Sequence, residues 1–141
     1  MKRMKLLATS LLALSLGPVG VVLATHLEEV QTESGIDYVA GGIGKEQSEA
    51  MKVAGQDYDL MLIFATDGGK YLADIDLQIE DMNGNTLLKT VSEGPLFLAH
   101  LPVGRYKITA SAQGTSHTRI VDIGRERPTK AVFQWSGYAM D

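Results

Sequence analysis

The sequence predicts an all-β fold: one exported Greek-key β-sandwich of seven strands, preceded by a short helix. From residue 57 onward apolar residues alternate with polar ones, which is the period of a half-buried strand. Turn residues separate these runs at short, regular intervals, as in β-sandwiches. The segment Leu101–Tyr106 adds a proline, a glycine and a tyrosine in the order expected of a corner between two sheets.

The predicted corner consists of Pro102, Gly104 and Tyr106. Pro102 fixes φ, and Gly104 is expected to supply a conformation that a side chain would resist. Tyr106 is expected to fold its hydroxyl back onto the backbone of the turn. These are structural residues, so they indicate how the domain is built and do not indicate an activity.

Residues 1–24 have the three parts of a signal peptide. An apolar stretch, Leu6–Leu16, lies between a basic start and the small-residue exit Val22–Ala24. We expect cleavage after Ala24 and release into the periplasm. The alternative is an N-terminal membrane anchor, because Leu6–Ala24 is uncharged and long enough to span a bilayer. Gly17-Pro18 argues against a continuous helix there.

The composition indicates the cellular compartment and excludes some kinds of partner. The chain has no Cys, so it has no disulfide and no lipid-modified cysteine, and this favours a bacterial periplasm over animal secretion. Loss of the signal peptide removes three of thirteen Lys and Arg and no acidic residue, which takes the formal charge from −4 to −7. An acidic surface disfavours nucleic acid and anionic lipid, so no nucleic-acid partner and no stable membrane insertion after cleavage are predicted.

Residues 25–56 are predicted to be a flexible leader that contains the helix. The part up to Gly44 is polar and glycine-rich, and Gly41–Gly44 is interpreted as a flexible hinge, since it lacks the lysine-serine ending of a phosphate-binding loop. Ile36–Val39 alternates weakly and offers a short edge strand as the alternative.

Helical spacing of apolar residues predicts a helix at about residues 45–54, with Gly55 as its stop signal. The stripe formed by Ala50, Met51 and Ala54 is expected to pack on the sandwich or on a partner.

Residues 57–135 are predicted to form the sandwich, and 136–141 a C-terminal tail. The first strand is apolar on both faces and is expected to be central or covered by the helix. Asn83-Gly84 predicts a two-residue hairpin turn in which both residues have positive φ. The seven strands are expected at Tyr58–Ala65, Ala73–Glu80, Thr86–Val91, Leu96–Ala99, Tyr106–Ala110, His117–Ile123 and Ala131–Trp135.

On these residues the chain resembles the carboxypeptidase regulatory-like domains, which have a transthyretin-like (prealbumin-like) sandwich. The matching segments are Leu60–Gly69, Ala73–Gly84 and Phe97–Ala110, and the resemblance covers about Asp57 to Trp135. It implies a module without peptidase activity that accompanies a catalytic domain or stands alone. The Gly41–Gly44 lead-in to the helix also resembles that of small exported proteins of Gram-negative bacteria.

One enzyme with this architecture is the hydroxyisourate hydrolase, which uses His and Arg residues and a terminal tyrosine-arginine-glycine-serine sequence. The present chain ends Trp135–Asp141 and lacks that tetrapeptide. A hydrolase would need His100 and His117 to converge with Arg105 or Arg119 in one pocket. No catalytic residue is predicted, because neither histidine lies in a recognisable version of the enzyme's motifs.

The sequence also lacks the motifs of nucleophilic catalysis and of metal binding. Ser111 and Ser116 are not in a nucleophile elbow, and Ser116 and His117 would point to opposite faces of a strand. No metal or cofactor is predicted, because His26, His100 and His117 lack ligand spacing and Met51, Met61 and Met82 form no repeated motif. Asp81–Asn85 lacks the series of ligands of a calcium loop and is interpreted as a hairpin turn. Asp74, Asp76 and Glu80 are interpreted as a solvated acidic face.

The function predicted from the sequence is therefore noncovalent binding of an envelope protein or, as a weaker option, a glycan. Binding would use strand addition at a sheet edge or docking of the Ala50-Met51-Ala54 stripe. A small hydrolase and a metal-binding protein remain the alternatives. Residue types common at interfaces occur throughout the chain, with Trp135 assigned to the core: Tyr71, Arg105, Arg119, Trp135 and Tyr138.

Overall fold

The computed structural model describes residues 27–136, which contain nine strands and one helix. The predicted signal peptide at residues 1–24, His26, and the part of the predicted tail from Gly137 onward, with Tyr138, lie outside the described residues. The elements are β1 Val30–Gln31, β2 Asp37–Gly41, α1 Lys45–Ala54, β3 Leu60–Thr66, β4 Ile75–Asp81, β5 Thr86–Ser92, β6 Leu96–Ala99, β7 Gly104–Ala112, β8 Thr115–Ile123 and β9 Thr129–Trp135. No helix in this part of the chain has the length and apolar character needed to cross a membrane.

The strands form two packed sheets. The first has the order β1-β2-β6-β3-β9, and the second has the order β5-β4-β7-β8. All pairs are antiparallel except β3 and β9, which run parallel. The inward-facing residues of both sheets build the main core, whose largest members include Phe64, Phe97, Phe133 and Trp135. Trp135 is therefore a core residue, as predicted.

The seven predicted strands are β3–β9, and the prediction of seven strands in total was wrong by two. Both additional strands, β1 and β2, form in the segment that was expected to be a flexible leader. The weak alternation at Ile36–Val39 marked β2, which pairs with β6 through Tyr38–Gly41. Ala73, predicted to be the first residue of the second strand, instead lies outside β4 and is exposed.

Within the predicted hinge Gly41–Gly44, the first two glycines are buried, whereas Ile43 and Gly44 are exposed. The backbone N–H groups of Gly42 and Ile43 donate to Gln47 Oε1 at 2.8 and 3.1 Å, so the first turn of α1 holds the segment that precedes it. A Cβ at Gly94 would lie 2.1 Å from the carbonyl oxygen of Gly41. The absence of a side chain at Gly94 lets its backbone approach that of Gly41. The glycine-rich composition of the segment alone does not reveal this role.

Helix α1 covers the outer face of the first sheet. Met51 is completely buried and packs with Val39, Met61 and Leu98 in a second, smaller core. This explains why β3 is apolar on both faces, since its other face contributes to the main core. It also excludes docking of the Ala50-Met51-Ala54 stripe on a partner, because the stripe is already used within the chain.

Gly55 is the stop of the helix, as predicted, and it acts without a left-handed conformation. The helix ends at Gly55, but φ there is −58°, and the chain continues as a 3₁₀ turn over Gly55–Asp57. A Cβ at Gly55 would lie 2.1 Å from Met61 Cε, so the site requires a small residue and not a left-handed one.

The hairpin between β4 and β5 differs from the predicted two-residue turn. Gly84 has a φ of 88°, but Asn83 is not left-handed, and the Asp81 carboxylate accepts the N–H groups of Asn83 and Asn85, both at 2.9 Å. The two-residue turn with both φ values positive lies elsewhere, at Gln113 (49°) and Gly114 (85°), between β7 and β8.

The corner makes the hydrogen bond expected of it: Tyr106 Oη donates to the Pro102 carbonyl oxygen at 2.7 Å. Gly104, however, lies outside the left-handed region, and a Cβ there would meet nothing closer than Tyr106 Oη at 3.5 Å. The conformational reason given for Gly104 was therefore wrong.

Candidate functional site: an edge slot beside the last strand

The two histidines weighed for catalysis lie at opposite ends of β3. His100 contacts Asp59, which immediately precedes this strand, whereas His117 contacts Trp135, which pairs with Thr66 at its end. At a rise of about 3.3 Å per residue, these ends are about 20 Å apart. The arrangement in which both histidines share one pocket with Arg105 or Arg119 is therefore excluded.

His100 belongs to a cluster that fastens the N-terminal segment to the sandwich. Its ring stacks on Tyr58 with centroids 4.2 Å apart, and its two nitrogens lie 3.7 Å from Glu29 Oε2 and 3.5 Å from Asp59 Oδ2. Tyr58 Oη donates to the same Glu29 oxygen at 2.6 Å. Asp59 also accepts the Leu101 N–H at 2.9 Å.

The chemistry of this cluster favours a structural role. Burial, followed by the hydrogen bond and the charge of Glu29, raises the pKa of Tyr58 well above its ordinary value. A phenol with a raised pKa stays protonated at neutral pH, so it is a weak acid and is not available as a general base. The second Asp59 oxygen accepts Arg127 Nε at 2.9 Å, so both oxygens of this carboxylate already have partners. We interpret the cluster as a latch between Glu29 and the start of β3.

The other candidates for chemistry are separated on outer faces. Arg105 pairs with Asp122 at 2.7 Å, and both side chains are exposed. The hydroxyls of Ser111 and Ser116 bond to each other, while the neighbouring His117 points to the opposite face as predicted. Among residues 27–136 no group of three or more His, Cys, Asp or Glu side chains is placed to hold a metal ion.

A different candidate site lies at the free edge of β9. This strand pairs with β3 on one side, and no other strand of residues 27–136 pairs with it on the second side. The Trp135 carbonyl oxygen accepts the Asp67 N–H on the β3 side, whereas the Val132 carbonyl oxygen accepts Arg119 Nη1 at 2.6 Å from the other side. Since these directions alternate along a strand, the backbone groups of Lys130, Val132 and Gln134 face the free edge.

The same edge has a floor supplied by β8. Val121 and Ile123 point inward and are buried, so the alternation of the strand directs His117 and Arg119 inward as well. Yet His117 is only half-buried and Arg119 is exposed, because the first sheet ends at β9 and does not cover them. We call the space beside β9 and over His117 and Arg119 the edge slot.

Side chains, and not backbone pairing, connect the two strands that border the edge slot. The Arg119 guanidinium lies 5.9 Å from the centre of the Phe133 ring. Trp135 Nε1 donates to the Thr115 carbonyl oxygen at 2.9 Å, and the His117 ring lies 5.1 Å from the Trp135 ring. The edge slot is therefore bordered by the unpaired backbone edge of β9 and by the Arg119 and His117 side chains of β8.

Sequence reasoning named Arg119 as an interface residue type but did not find the edge slot. A signal was present: on the inward face of β8, His117 and Arg119 are polar while Val121 and Ile123 are apolar. A strand whose inward face changes from polar to apolar along its length is covered over only part of that length. Which strand fails to cover it depends on the order of the strands in the sheets, which the sequence does not state.

No protein-family model matches this chain, and no curated protein is detectably similar to it. The fold assignment accordingly rests on the geometry: two packed sheets of five and four strands with one short helix.

Proposed function

We propose that the protein is a non-catalytic binding module of the bacterial periplasm that holds an extended segment of another envelope protein in the edge slot. The proposal includes the finer fold assignment, the transthyretin-like sandwich of the carboxypeptidase regulatory-like domains. The seven strands at β3–β9 and the hydrogen bond from Tyr106 to Pro102 support that assignment. Export is supported by the signal-peptide pattern of residues 1–24.

The observation that carries the proposal is the row of backbone groups on the free edge of β9. Lys130, Val132 and Gln134 turn their N–H and C=O groups away from β3, and such a row is a template for another strand. The wall is rigid, because β9 pairs with β3 over its whole length and its alternate side chains, Ala131, Phe133 and Trp135, are core residues.

A proline at the edge tests this site. Val132→Pro removes an N–H that faces the edge slot and leaves the β3–β9 ladder intact, which an edge strand tolerates. The matched control is Val132→Thr, which keeps the N–H and the β-branched shape. Each exported protein is used as bait in an envelope extract, and circular dichroism and thermal unfolding establish that both variants are folded.

We expect the wild-type protein and Val132→Thr to retain the same envelope protein and Val132→Pro to lose it. Retention by folded Val132→Pro would show that β9 is not the binding edge. Repeated capture of background alone by the wild-type protein would overturn the binding role itself.

A groove on the opposite sheet supports the glycan as the second candidate ligand. Its volume is about 540 Å³, and strand side chains suited to sugar hydroxyls line it: Asp76, Gln78, Lys89, Thr109 and Ser111. Binding of an envelope polysaccharide that Gln78→Ala abolishes and Val132→Pro leaves intact would favour this candidate over the edge slot.

A further inference from the structure

We propose that the edge slot selects an acidic segment: Arg119 exchanges the Val132 carbonyl oxygen for a carboxylate on the incoming strand, at the position opposite Phe133. This inference rests on the proposed function, because it describes the partner of the same site. It names the chemistry that separates the correct segment from any other extended chain.

Arg119 uses few of its hydrogen-bond donors within the described residues. Within residues 27–136 its side chain makes one hydrogen bond, to Val132 O, although a guanidinium carries five N–H donors. By contrast, Arg105 has Asp122 as an anionic partner and Arg127 has Asp59. Arg119 thus points inward on β8, over the Phe133 ring, with no carboxylate partner in the described chain.

An added strand and Arg119 would donate to the same Val132 carbonyl oxygen. A strand that adds to β9 would donate an N–H to the Val132 carbonyl oxygen, to which Arg119 already donates from the same side, so the two donors would compete there. A segment without a carboxylate at this position would displace the guanidinium and provide no anionic acceptor in exchange. A segment with a carboxylate on the floor-facing side replaces one bond to a neutral carbonyl oxygen with a charge-assisted, bidentate pair.

The register of an added strand relative to β9 decides which of its side chains Arg119 can reach. Residues of an added strand that lie opposite Ala131, Phe133 and Trp135 would turn their side chains toward the floor, as those three residues do. Since the Arg119 guanidinium lies over Phe133, the residue opposite Phe133 is the one within its reach. This places the acidic side chain at a single position of the segment.

The charge around the edge slot agrees with an acidic partner. The described residues contain ten Lys and Arg and sixteen Asp and Glu, yet the stretch Arg119–Lys130 holds four of the former and two of the latter. One of those two, Asp122, is paired with Arg105, and one of the four cations, Arg127, is paired with Asp59, which leaves three cations against Glu126. An acidic segment is therefore attracted to this border of a molecule that otherwise repels it.

The test uses two blocked synthetic peptides of about seven residues, the length of β9. Threonine alternates with valine in both, and the central floor-facing residue is glutamate in one and glutamine in the other. Binding to the exported protein is followed by the fluorescence of Trp135, the only tryptophan in the chain, which contacts His117 on the floor. The variants are Arg119→Met and, as a matched control, Arg105→Met, which removes an arginine from an outer face.

We expect the wild-type protein and Arg105→Met to bind the glutamate peptide about tenfold more tightly than the glutamine peptide. In Arg119→Met the two peptides should bind equally, and the glutamine peptide at least as tightly as it binds the wild-type protein. Equal binding of both peptides to the wild-type protein would overturn the selection by Arg119 and leave the binding module standing. Failure of both peptides with every protein would overturn the module as well.

Two other occupants are separate outcomes. Binding that appears only in a chain ended after Ser136 would assign the edge slot to the protein's own last residues, and dimerisation of Arg119→Met in sedimentation would assign it to a second copy. Either result would overturn the acidic partner.

Discussion

The two flanks of the sandwich are closed by different means. On the closed flank, formed by β1, β2 and β5, hydroxyl side chains join the sheets: Ser34 Oγ donates to the Leu87 carbonyl oxygen, and the Tyr38 and Thr90 hydroxyls bond to each other. On the open flank, formed by β8 and β9, the bridges come from Arg119, Trp135 and His117.

This difference indicates where the molecule can accept another chain. The closed flank is joined by shorter hydroxyl side chains, of which the Tyr38–Thr90 pair is partly buried, whereas the long, exposed Arg119 side chain can exchange its acceptor through rotation. The closed flank therefore contributes stability, and the open flank retains groups that a partner can use.

Gly94→Ala should disrupt the closed flank. The added Cβ would meet the Gly41 carbonyl oxygen at 2.1 Å, and neither backbone can yield easily, because β2 and β6 are paired there. We expect a loss of about 3 kcal/mol or more in the free energy of unfolding, seen as a fall of about 10 °C or more in Tm. The control is Gly124→Ala, which has no atom within 4 Å of its Cβ and should be neutral. Equal stability of the two variants would contradict the close approach.

The Gly94 contact also illustrates which parts of the fold a sequence can predict. Strands β3–β9 follow from local alternation, and the bounds of α1 follow from the spacing of Met51 and Ala54. Contacts between Gly41 and Gly94 join residues far apart in sequence, so a glycine used for close approach looks the same as a flexible one. The edge slot was missed for a related reason: Arg119 is exposed only because β9 ends its sheet.

Hydroxyl and guanidinium deletions compare the two flanks directly. Tyr38→Phe removes the half-buried hydrogen bond to Thr90 and should lower the free energy of unfolding by about 1 kcal/mol. Arg119→Ala removes an exposed bond and should change it by less than about 0.5 kcal/mol. Urea denaturation of both variants measures the difference. A larger loss from Arg119→Ala would mean that Arg119 holds the fold together and is not free to exchange partners.

Hydrogen exchange should show the open edge residue by residue. The amides of Phe133 and Trp135 face β3 and should exchange slowly, whereas those of Lys130, Val132 and Gln134 should exchange quickly. Addition of the glutamate peptide should slow this second group selectively. Uniform protection along β9 in the free protein would contradict an unpaired edge.

Alkaline pH should weaken the latch between Glu29 and the start of β3. Burial and the neighbouring Glu29 raise the pKa of Tyr58 above its ordinary value of 10.0. Above about pH 10 the unfolded chain releases the tyrosine proton while the folded chain keeps it, so stability falls as pH rises. Urea denaturation between about pH 8 and pH 11 should show a shallower fall for Tyr58→Phe than for the wild-type protein. Burial also raises the pKa of Tyr106, so part of the fall should remain.

Glu29→Gln separates the two causes, because it removes the charge and keeps an oxygen that can accept the Tyr58 hydroxyl. Its profile should lie between those of the wild-type protein and Tyr58→Phe, since burial, the larger cause, is retained. Identical alkaline profiles for all three proteins would show that Glu29 is not held against Tyr58 in solution. The N-terminal segment would then lack its latch, and the contrast between the two flanks would rest on β1 and β2 alone.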